Sequence, residues 1–320
     1  MKNIKVESLN QSDLFQVSVI IPVYNSEMFI KDSVDSALNL PEVGEVLLID
    51  DGSTDNSLKV CLELQSQNKR VKALSHKDER NHGPAASRNL GILNASSEFV
   101  SFLDADDVYL AHRFSAEKKI FQSEPEIDGV YGCSHTIFIS EWGKQQYYKV
   151  ESSHIYTVNE VLPPELLFNN LLFYWNGRIH TSAITVRRSA FQKVGLFNEE
   201  LRWAEDTELW LRLAYKVKMV SGVINEPIAL RRIHDRNIVH QIDKARIYND
   251  KMYHTLFEWA LLQKPSFEVL NNIINAKKLY SYSYIEMPIK KYIWLQLFEH
   301  PKIFCTLFFW KKLKLLYFKN

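Results

Sequence analysis

The sequence predicts an α/β fold with a mainly parallel central sheet flanked by helices, followed by a C-terminal helical extension. Strand-like apolar runs alternate with helix-like patterns through the N-terminal third. The runs are continuous and rich in β-branched residues, which is typical of parallel strands covered on both faces. Polar side chains follow directly where three of these runs end, as they do at the ligand-binding edge of a parallel sheet.

The individual elements follow one another in the order βαβαβαβ. Buried strands are predicted at residues 17–24, 45–50, 71–76 and 98–104. The first helix is predicted after Asn25 and Ser26, which can cap it, because Ile30, Val34 and Ala37 fall on one helical face. Two further helices are predicted at residues 57–65 and 84–95.

Composition and charge exclude several classes of protein. The 320 residues carry a formal net charge of +1, so we expect no general affinity for polyanions and no nucleic-acid partner. Cys61, Cys133 and Cys305 lie far apart, which indicates reduced thiols rather than a disulfide framework or a zinc site. The N-terminus lacks the apolar run of a signal peptide and no stretch is long enough to span a bilayer, so a cytoplasmic location is expected.

An acidic cluster ends the fourth predicted strand. Asp104, Asp106 and Asp107 follow directly on an apolar run. Carboxylates this close together repel one another and resist burial, so the cluster must be exposed, hydrogen-bonded or neutralised by a positive charge. Because the carboxyl ends of parallel strands meet at one edge of the sheet, we expect this cluster to share a cleft with residues 22–25 and 50–53.

Four motifs, taken together and in this order, resemble the nucleotide-sugar-binding half of the family 2 glycosyltransferases, which have the GT-A fold. They are VSVIIPVYN (17–25), LLIDDGSTDNS (47–57), GPAASRNLGI (83–92) and FLDADD (102–107). A lone D-x-D is common by chance among 38 acidic residues, but the ordered set is specific. The resemblance implies a GT-A domain over residues 1–245, with a nucleotide-binding half (1–110) and an acceptor half (111–245), followed by an extension over residues 246–320.

The resemblance implies a cation-dependent donor site. Asp104 and Asp106 occupy the D-x-D positions, and Asp106 is the expected direct ligand of Mn²⁺ or Mg²⁺, since these hard cations prefer carboxylate oxygens and substrate phosphates. His234 is expected as a further metal or phosphate contact, the alternative being a structural histidine. The acidic run also has an alternative, because it can form an Asx turn and cap a helix near Tyr109.

The resemblance also assigns a nucleotide-sugar site. A carboxylate at Asp50 or Asp51 is expected to accept the imide N–H of uracil, with Tyr24 beside the ring, which indicates a UDP-linked donor. Arg88 is expected to reach the nucleotide side of the cleft, the alternative being a solvated helix charge. Apart from any ligand, DDGSTD can be a strand-to-helix turn with its own helix cap. The full predicted set is Pro22, Tyr24, Asn25, Glu27, Asp50, Asp51, Arg88, Asp104, Ala105, Asp106 and Glu205.

Residues 182–216 resemble the acceptor-side segment of the same family. Glu205 and Asp206 open a predicted helix here, and the resemblance makes Asp206 the expected general base. An inverting transfer needs a carboxylate opposite the leaving diphosphate that takes the proton of the acceptor hydroxyl. The alternative is that both carboxylates stabilise the first turn through the helix dipole.

The C-terminal segment 286–320 interleaves lysines with aromatic and apolar residues. This pattern is typical of helices that lie in a membrane interface, where lysines extend toward water and rings lie among the headgroups. Pro301 limits any single span. The alternative is a packing arm or dimer interface with its lysines in water.

Together these features predict an inverting, metal-dependent hexosyl- or N-acetylhexosaminyltransferase that uses a UDP-sugar and a saccharide or lipid-linked glycan acceptor. We expect it in the cytoplasm, as a peripheral protein on the inner face of the cell membrane. Two alternatives stay open, a catalytically silent scaffold of the same fold and a sugar nucleotidyltransferase. The second should carry a Gly-rich basic loop after the first strand, where this chain has IPVYNSE.

Overall fold

Residues 15–149, 153–235 and 242–280 are described by a computed structural model of the chain. The strands in these residues are β1 (Val17–Val23), β2 (Val43–Asp50), β3 (Val71–Ser75), β4 (Phe99–Phe102), β5 (Val108–Tyr109), β6 (Gly129–Tyr131), β7 (Cys133–Phe138), β8 (Ile155–Tyr156), β9 (Ile184–Arg187), β10 (Met219–Ser221) and β11 (Pro227–Ile233). The helices are α1 (Ile30–Leu38), α2 (Ser57–Gln67), α3 (Pro84–Asn94), α4 (Ser115–Ser123), α5 (Glu141–Tyr147), α6 (Pro164–Phe173), α7 (Ala190–Val194), α8 (Glu205–Lys216), α9 (Ile242–Leu262) and α10 (Phe267–Tyr280). A 3-10 helix spans Thr181–Ala183.

A seven-stranded sheet forms the centre of the fold, in the order β10-β6-β9-β4-β1-β2-β3. Strands β4, β1, β2 and β3 run parallel, with the alternating helices that the sequence predicts. Strand β9 departs from this pattern, because it lies antiparallel between β4 and β6. The predicted α/β class with a mainly parallel sheet is confirmed.

The central strands are buried because helices cover both faces of the sheet. Along β1, Val19 and Ile21 face one apolar core and Ile20 faces the other, as the two-residue period of a strand requires. Helices α1 and α2 cover the first face, and α3, α6 and α8 cover the second. With both faces covered, the carboxyl edge of the sheet is where polar side chains can meet a ligand.

A second, four-stranded sheet has the order β5-β11-β7-β8. Strand β11 pairs in parallel with β7 and antiparallel with β5, the short strand directly after the acidic cluster. This pairing brings the end of β11, with Arg231, Arg232 and His234, next to that cluster. Sequence periodicity does not indicate this sheet, because β5 and β8 have two residues each.

The C-terminal helices α9 and α10 pack against the α/β core. Tyr253 and Leu256 of α9 and Ile273 of α10 are buried in the same core as Trp210 of α8. The predicted helical character of the extension therefore holds for its first part, while the basic and aromatic segment 286–320 lies outside the described residues. In the described part of the chain, no helix combines the length and apolar character needed to cross a bilayer.

Candidate active site

A cavity of about 480 Å³ opens at the carboxyl edge of the central sheet. Its walls come from the ends of β1, β2 and β4, from the loop before α3, from the segment before α8 and from β11. The predicted site residues on its lining are Pro22, Tyr24, Asn25, Asp51, Arg88, Asp104, Ala105, Asp106 and His234. The predicted residues that do not line it are Glu27, Asp50, Glu205 and Asp206. The three strand ends therefore share one cleft.

The turn after β1 is interlocked with the turn after β2. Asn25 has a positive φ of 50°, and its Oδ1 accepts a hydrogen bond from the N–H of Thr54 at 2.8 Å. Glu27 Oε2 accepts from the backbone and side-chain nitrogens of Asn56, at 3.0 and 2.8 Å. Because Asn56 directly precedes α2, Glu27 stabilises the start of that helix. Tyr24, with 48% of its surface exposed, stays available on the cavity wall.

Asp50 and Asp51 have different surroundings although they are adjacent. Asp50 is buried; its Oδ2 accepts from two backbone N–H groups of the following turn at 3.2 and 3.3 Å, and its Oδ1 has no partner in the described structure. Asp51 lines the cavity, and its two oxygens accept from the N–H groups of His82 and Gly83 at 2.7 and 2.8 Å. Of the two carboxylates, Asp51 is placed to meet a ligand and Asp50 shapes the turn.

Helix α1 fixes the acidic turn that follows β4. The Ser33 hydroxyl lies 2.7 Å from the carbonyl oxygen of Ala105 and 2.6 Å from that of Asp107, and it can donate to either. This arrangement leaves the side chains of Asp104 and Asp106 on the cavity, 34% and 26% exposed. The turn therefore presents the two D-x-D carboxylates to the cleft.

Asp107 ties the acidic turn to the second sheet. Its Oδ2 accepts from the Ser182 hydroxyl at 2.8 Å, and its Oδ1 accepts from the backbone N–H of Arg232 at 3.1 Å. Burial, followed by the charges of Asp106 and Asp104, raises the pKa of Asp107 well above its ordinary value. A nearby cation would offset that repulsion.

The acidic turn and two histidines form a set of potential metal ligands. One donor atom each from Asp104, Asp107 and His180 lie within 4.8 Å of one another, and His234 Nε2 lies 3.1 Å from Asp106 Oδ2. Burial lowers the pKa of His180 to about 4, so its imidazole is neutral and can bind a cation. Carboxylates with imidazole suit Mn²⁺, and carboxylates with substrate phosphates suit Mg²⁺. The donor set therefore fits a divalent cation.

Arg88 joins the acidic turn after β4 to the start of α8. Its Nη2 lies 2.8 Å from Asp104 Oδ1, and its Nη1 lies 2.7 Å from Glu205 Oε1. Burial acts to raise the pKa of Asp104, but the charge of Arg88 holds it below its ordinary value. Burial raises the pKa of Glu205 to about 7 in spite of the same arginine. Arg88 therefore positions two carboxylates that are far apart in the sequence.

Asp206 lies in the first turn of α8, beside the cavity wall that carries Trp203. Its Oδ2 accepts from the Thr181 hydroxyl at 3.1 Å, and its Oδ1 accepts from the N–H of Thr207 at 2.6 Å. Trp203, on the preceding segment, lines the cavity and stacks on Tyr248 of α9 with ring centroids 5.5 Å apart. An aromatic face of the cavity wall therefore lies beside an oriented carboxylate that is not itself part of the lining.

The sequence of this chain matches a known protein family over most of the region that builds the cavity. Residues 18–195 match the profile of Glycosyl transferase family 2. This chain belongs to glycosyl transferase family 2. The match spans the ends of β1, β2 and β4, and it confirms the family resemblance that the four motifs indicate.

Curated relatives of this family 2 chain include uncharacterised glycosyltransferases. One from Rickettsia felis is 33% identical over 214 residues, which is 66% of this chain and 32% of the relative. One from Methanocaldococcus jannaschii is 28% identical over 248 residues, 75% of this chain and 78% of the relative. The chain spans about a third of the length of the Rickettsia felis protein and 64% of a Rickettsia typhi relative.

Solved structures show the same fold. Residues 1–349 of TarS from S. aureus, in complex with UDP-GlcNAc, superimpose with a TM-score of 0.62 at 16% identity, over 87% of this chain and 77% of that one. Another crystal structure of TarS 1–349 gives a TM-score of 0.59 at 17% identity. The predicted GT-A fold of this family 2 chain is confirmed.

Sequence reasoning on this family 2 chain did not predict Arg202, Arg231 or His180 as site residues. Arg202 and Arg231 line the cavity, and His180 belongs to the group of potential metal ligands. The two arginines could have been found from their neighbours in the sequence, because they precede the predicted site residues Glu205 and His234 by three positions each. His180 follows an irregular stretch, so neither a motif nor a periodicity indicated a role for it.

Proposed function

We propose that this protein is an inverting, divalent-metal-dependent glycosyltransferase. It moves a hexosyl or N-acetylhexosaminyl group from a UDP-linked donor to a hydroxyl of a saccharide or lipid-linked glycan. The observation that carries the proposal is the single cavity in which Asp51, Asp104 and Asp106 meet at the carboxyl edge of the sheet. Membership of family 2 and the names of the relatives support the same activity.

The nucleotide would bind along the turns after β1 and β2. The Asp51 carboxylate, held by two backbone N–H groups, can accept only, which suits the imide N–H of uracil. The exposed ring of Tyr24 would lie beside the base. The TarS complex with UDP-GlcNAc, a protein of the same fold, supports a UDP-linked donor.

Asp104, Asp106 and His234 would hold the metal, with His180 beside them. When bound, a divalent cation offsets the charge that develops on the leaving diphosphate. The chain itself contributes positioning: Arg88 keeps Asp104 ionised, and Asp107 fixes the turn through its own hydrogen bonds.

Asp206 would act as the general base. The acceptor oxygen attacks the anomeric carbon from the face opposite the diphosphate, so the configuration at that carbon inverts. The bond from the anomeric carbon to the diphosphate oxygen breaks, its electron pair goes to the diphosphate, and the acceptor proton goes to Asp206. Thr181 and Thr207 hold the carboxylate in one orientation, and Trp203 would border the acceptor sugar.

The release of UDP from a panel of UDP-sugars, with saccharide acceptors, tests this function. We expect release in Mn²⁺ or Mg²⁺, loss of release with EDTA, and recovery when metal is added in excess. A silent scaffold would release no UDP from any donor. A nucleotidyltransferase would instead release pyrophosphate from UTP and a sugar 1-phosphate. Either result contradicts the proposal.

A further inference from the structure

An exposed tryptophan follows helix α6. Trp175 has 66% of its surface exposed, and its ring stacks on that of Phe173, with centroids 5.0 Å apart and an angle of 11° between the planes. Phe173 in turn packs against the central core. Tryptophan is enriched where proteins bind ligands, because it offers a large, flat apolar face. A ring that is supported from the core and open to solvent therefore indicates a binding surface.

Backbone hydrogen bonds fix the loop that carries the exposed ring. The N–H of Asn159 donates to the carbonyl of Asn176 at 2.7 Å, and the N–H of Arg178 donates to the carbonyl of Thr157 at 3.0 Å. Gly177 has a φ of 105°, and a Cβ at this position would overlap the carbonyl oxygen of Thr157, so the turn requires glycine. A ligand that binds the ring therefore has little loop ordering to offset.

The same loop lies beside the candidate active site. Tyr174, directly before Trp175, lines a small cleft together with Thr207 in the first turn of α8. Asp206 precedes Thr207 and accepts from the hydroxyl of Thr181 at 3.1 Å. Thr181 is six positions after Trp175, and an extended chain of that length spans at most about 22 Å. A saccharide chain that reaches Asp206 can therefore also cover the tryptophan ring.

The surroundings of the ring suit a saccharide. Asn159 and Glu160 are exposed on the segment paired with the loop, where Glu160 accepts from the side-chain amide of Asn176, and both can bind sugar hydroxyls. A carboxylate here disfavours an anionic lipid surface. Even with the exposed Val161 and Leu166, a tryptophan of at most about 250 Å² falls short of the roughly 800 Å² that a stable protein interface buries on each partner.

We propose that Trp175 binds a sugar unit of the acceptor other than the unit that is glycosylated. This inference rests on the proposed function and narrows its acceptor to a saccharide chain of at least two units. The reacting unit lies at Asp206, and another unit of the chain stacks its C–H face on the Trp175 ring. Because this contact is the same in the ground state and the transition state, it lowers the KM for the acceptor and leaves kcat unchanged.

UDP release by the full chain with acceptors of increasing length tests this assignment. Glucose, galactose and N-acetylglucosamine serve as acceptors, each as the monosaccharide and as its longer oligosaccharides. The wild-type KM should fall from the monosaccharide to the longer acceptors. Trp175→Ala should raise the KM for the longer acceptors by about three- to thirtyfold, because an aromatic contact and the apolar area that it covers are lost. The KM for the monosaccharide, the KM for the donor and kcat should stay within about twofold.

Two further variants control for aromatic character and for exposed apolar surface. Trp175→Phe keeps an aromatic face, so the KM for the longer acceptors should return to within about threefold of the wild-type value. Leu93→Ala removes a side chain of α3 that is 69% exposed, and it should leave every KM within about twofold. An equal rise in KM for Leu93→Ala and Trp175→Ala would point to a general surface effect and overturn the assignment.

The other occupants of this surface are outcomes of the same set of proteins. If Trp175→Ala loses co-sedimentation with plain liposomes, or loses a wild-type dimer in analytical ultracentrifugation, while its KM values are unchanged, the ring binds lipid or a second copy and the assignment is overturned. If Trp175→Ala does not fold, Trp175→Leu decides the question, since it is apolar without an aromatic face and should raise the KM for the longer acceptors alone.

Failure of this inference is distinguishable from failure of the proposed function. Wild-type transfer to no saccharide of any length contradicts the proposed function itself. Wild-type transfer with one KM at every acceptor length, or with a length dependence that Trp175→Ala leaves intact, contradicts this inference alone.

Discussion

In two pairs of adjacent residues at the cavity, one residue contacts other protein groups and its neighbour faces the cavity. Asp50 shapes a turn while Asp51 lines the cavity, and Arg232 is bound to other protein groups while Arg231 faces the cleft. Successive side chains of an extended chain point to opposite faces, so one member of each pair is turned away from the cavity, toward other protein groups. The other member of each pair lines the cavity, where a ligand can reach it.

Asp106→Ala and Asp206→Asn should separate donor binding from proton transfer. Asp106→Ala should weaken UDP binding in Mn²⁺ by at least about tenfold and make the remaining affinity independent of chelator, because it removes an expected cation ligand. Asp206→Asn should leave UDP affinity within about twofold and lower kcat by about 10²- to 10⁴-fold, because an amide cannot take the acceptor proton. Calorimetry measures the affinities, and UDP release measures the rates.

Asp35→Asn is the control for this pair, since it removes an exposed carboxylate of α1 that is paired with Lys31. Neither affinity nor rate should change. Wild-type UDP binding that is indifferent to chelator contradicts the metal role of Asp106. Full turnover by Asp206→Asn contradicts its role as the base.

The sequence could place about half of the lining residues, nine of 19, because the motifs mark the ends of strands. It could not separate Asp50 from Asp51, because the pairing of β2 with β3 decides which of them ends the strand. The sequence also could not predict that Asp107 anchors the acidic turn. Its partners Ser182 and Arg232 are 75 and 125 residues away in the sequence, and only the tertiary fold brings them together.

At the scale of secondary-structure elements, one buried carboxylate links four segments at the amino end of the central sheet. Glu45 of β2 accepts from the hydroxyl of Ser18 in β1 at 2.7 Å and from the N–H of Ser96 before β4 at 2.6 Å, and it lies 2.6 Å from Nζ of Lys72 in β3. Burial acts to raise its pKa, but the hydrogen bonds from Lys72 and the serines lower the pKa to about 2. The ionised carboxylate therefore stabilises the sheet.

Glu45→Gln should lower the free energy of unfolding by about 1 to 3 kcal/mol at neutral pH, because it removes the charged acceptor from a buried network. The ionised form contributes fully above the ordinary glutamate pKa of 4.5, and this contribution is lost as the pH falls through about 2. The stability difference between wild type and variant should therefore shrink across that range. Urea unfolding at a series of pH values measures it.

Glu63→Gln is the matched control on α2. Its carboxylate is exposed and lies 4.0 Å from Lys59 Nζ, so its loss should change stability by less than about 0.5 kcal/mol. A difference between wild type and Glu45→Gln that stays constant with pH would contradict the role of the ionised carboxylate.

Among the elements, the parallel strands of the first third were readable because each is a continuous apolar run between helices. The second sheet was not, because its pairings join short segments from distant parts of the chain, such as β11 with β5. The antiparallel strand β9 was hidden for the same reason. It returns between β4 and β6, and its direction depends on the path of the chain rather than on its own four residues.

At the scale of the whole molecule, helices α9 and α10 are part of the central core, although the sequence predicts them as an extension that follows it. Tyr253, Leu256 and Ile273 are at most 1% exposed, and they pack with residues of α6 and α8. The boundary expected at residue 246 also falls inside α9 rather than between elements. Since α8 begins with Glu205 and Asp206, packing of α9 against this helix also supports the two carboxylates beside the cavity.

Two truncations should separate core packing from membrane contact. Ending the chain after residue 241 removes α9 and α10, and it should abolish cooperative thermal unfolding, because loss of a single buried large side chain already costs about 2 to 5 kcal/mol. Ending it after residue 280 keeps the described core and should preserve cooperative unfolding. Without the basic and aromatic segment 286–320, however, that shorter chain should co-sediment less with anionic liposomes than the full chain.

The full chain with Lys311, Lys312 and Lys314 changed to glutamate is the matched control for the liposome assay. It keeps the aromatic residues and reverses the charge, so it should also bind anionic liposomes less, with a smaller deficit on neutral ones. Undiminished co-sedimentation of the chain ending at residue 280 would refute membrane contact through this segment. Cooperative unfolding of the chain ending at residue 241 would show that α9 and α10 are dispensable for the core, because the remaining elements would then fold without the side chains that fill it.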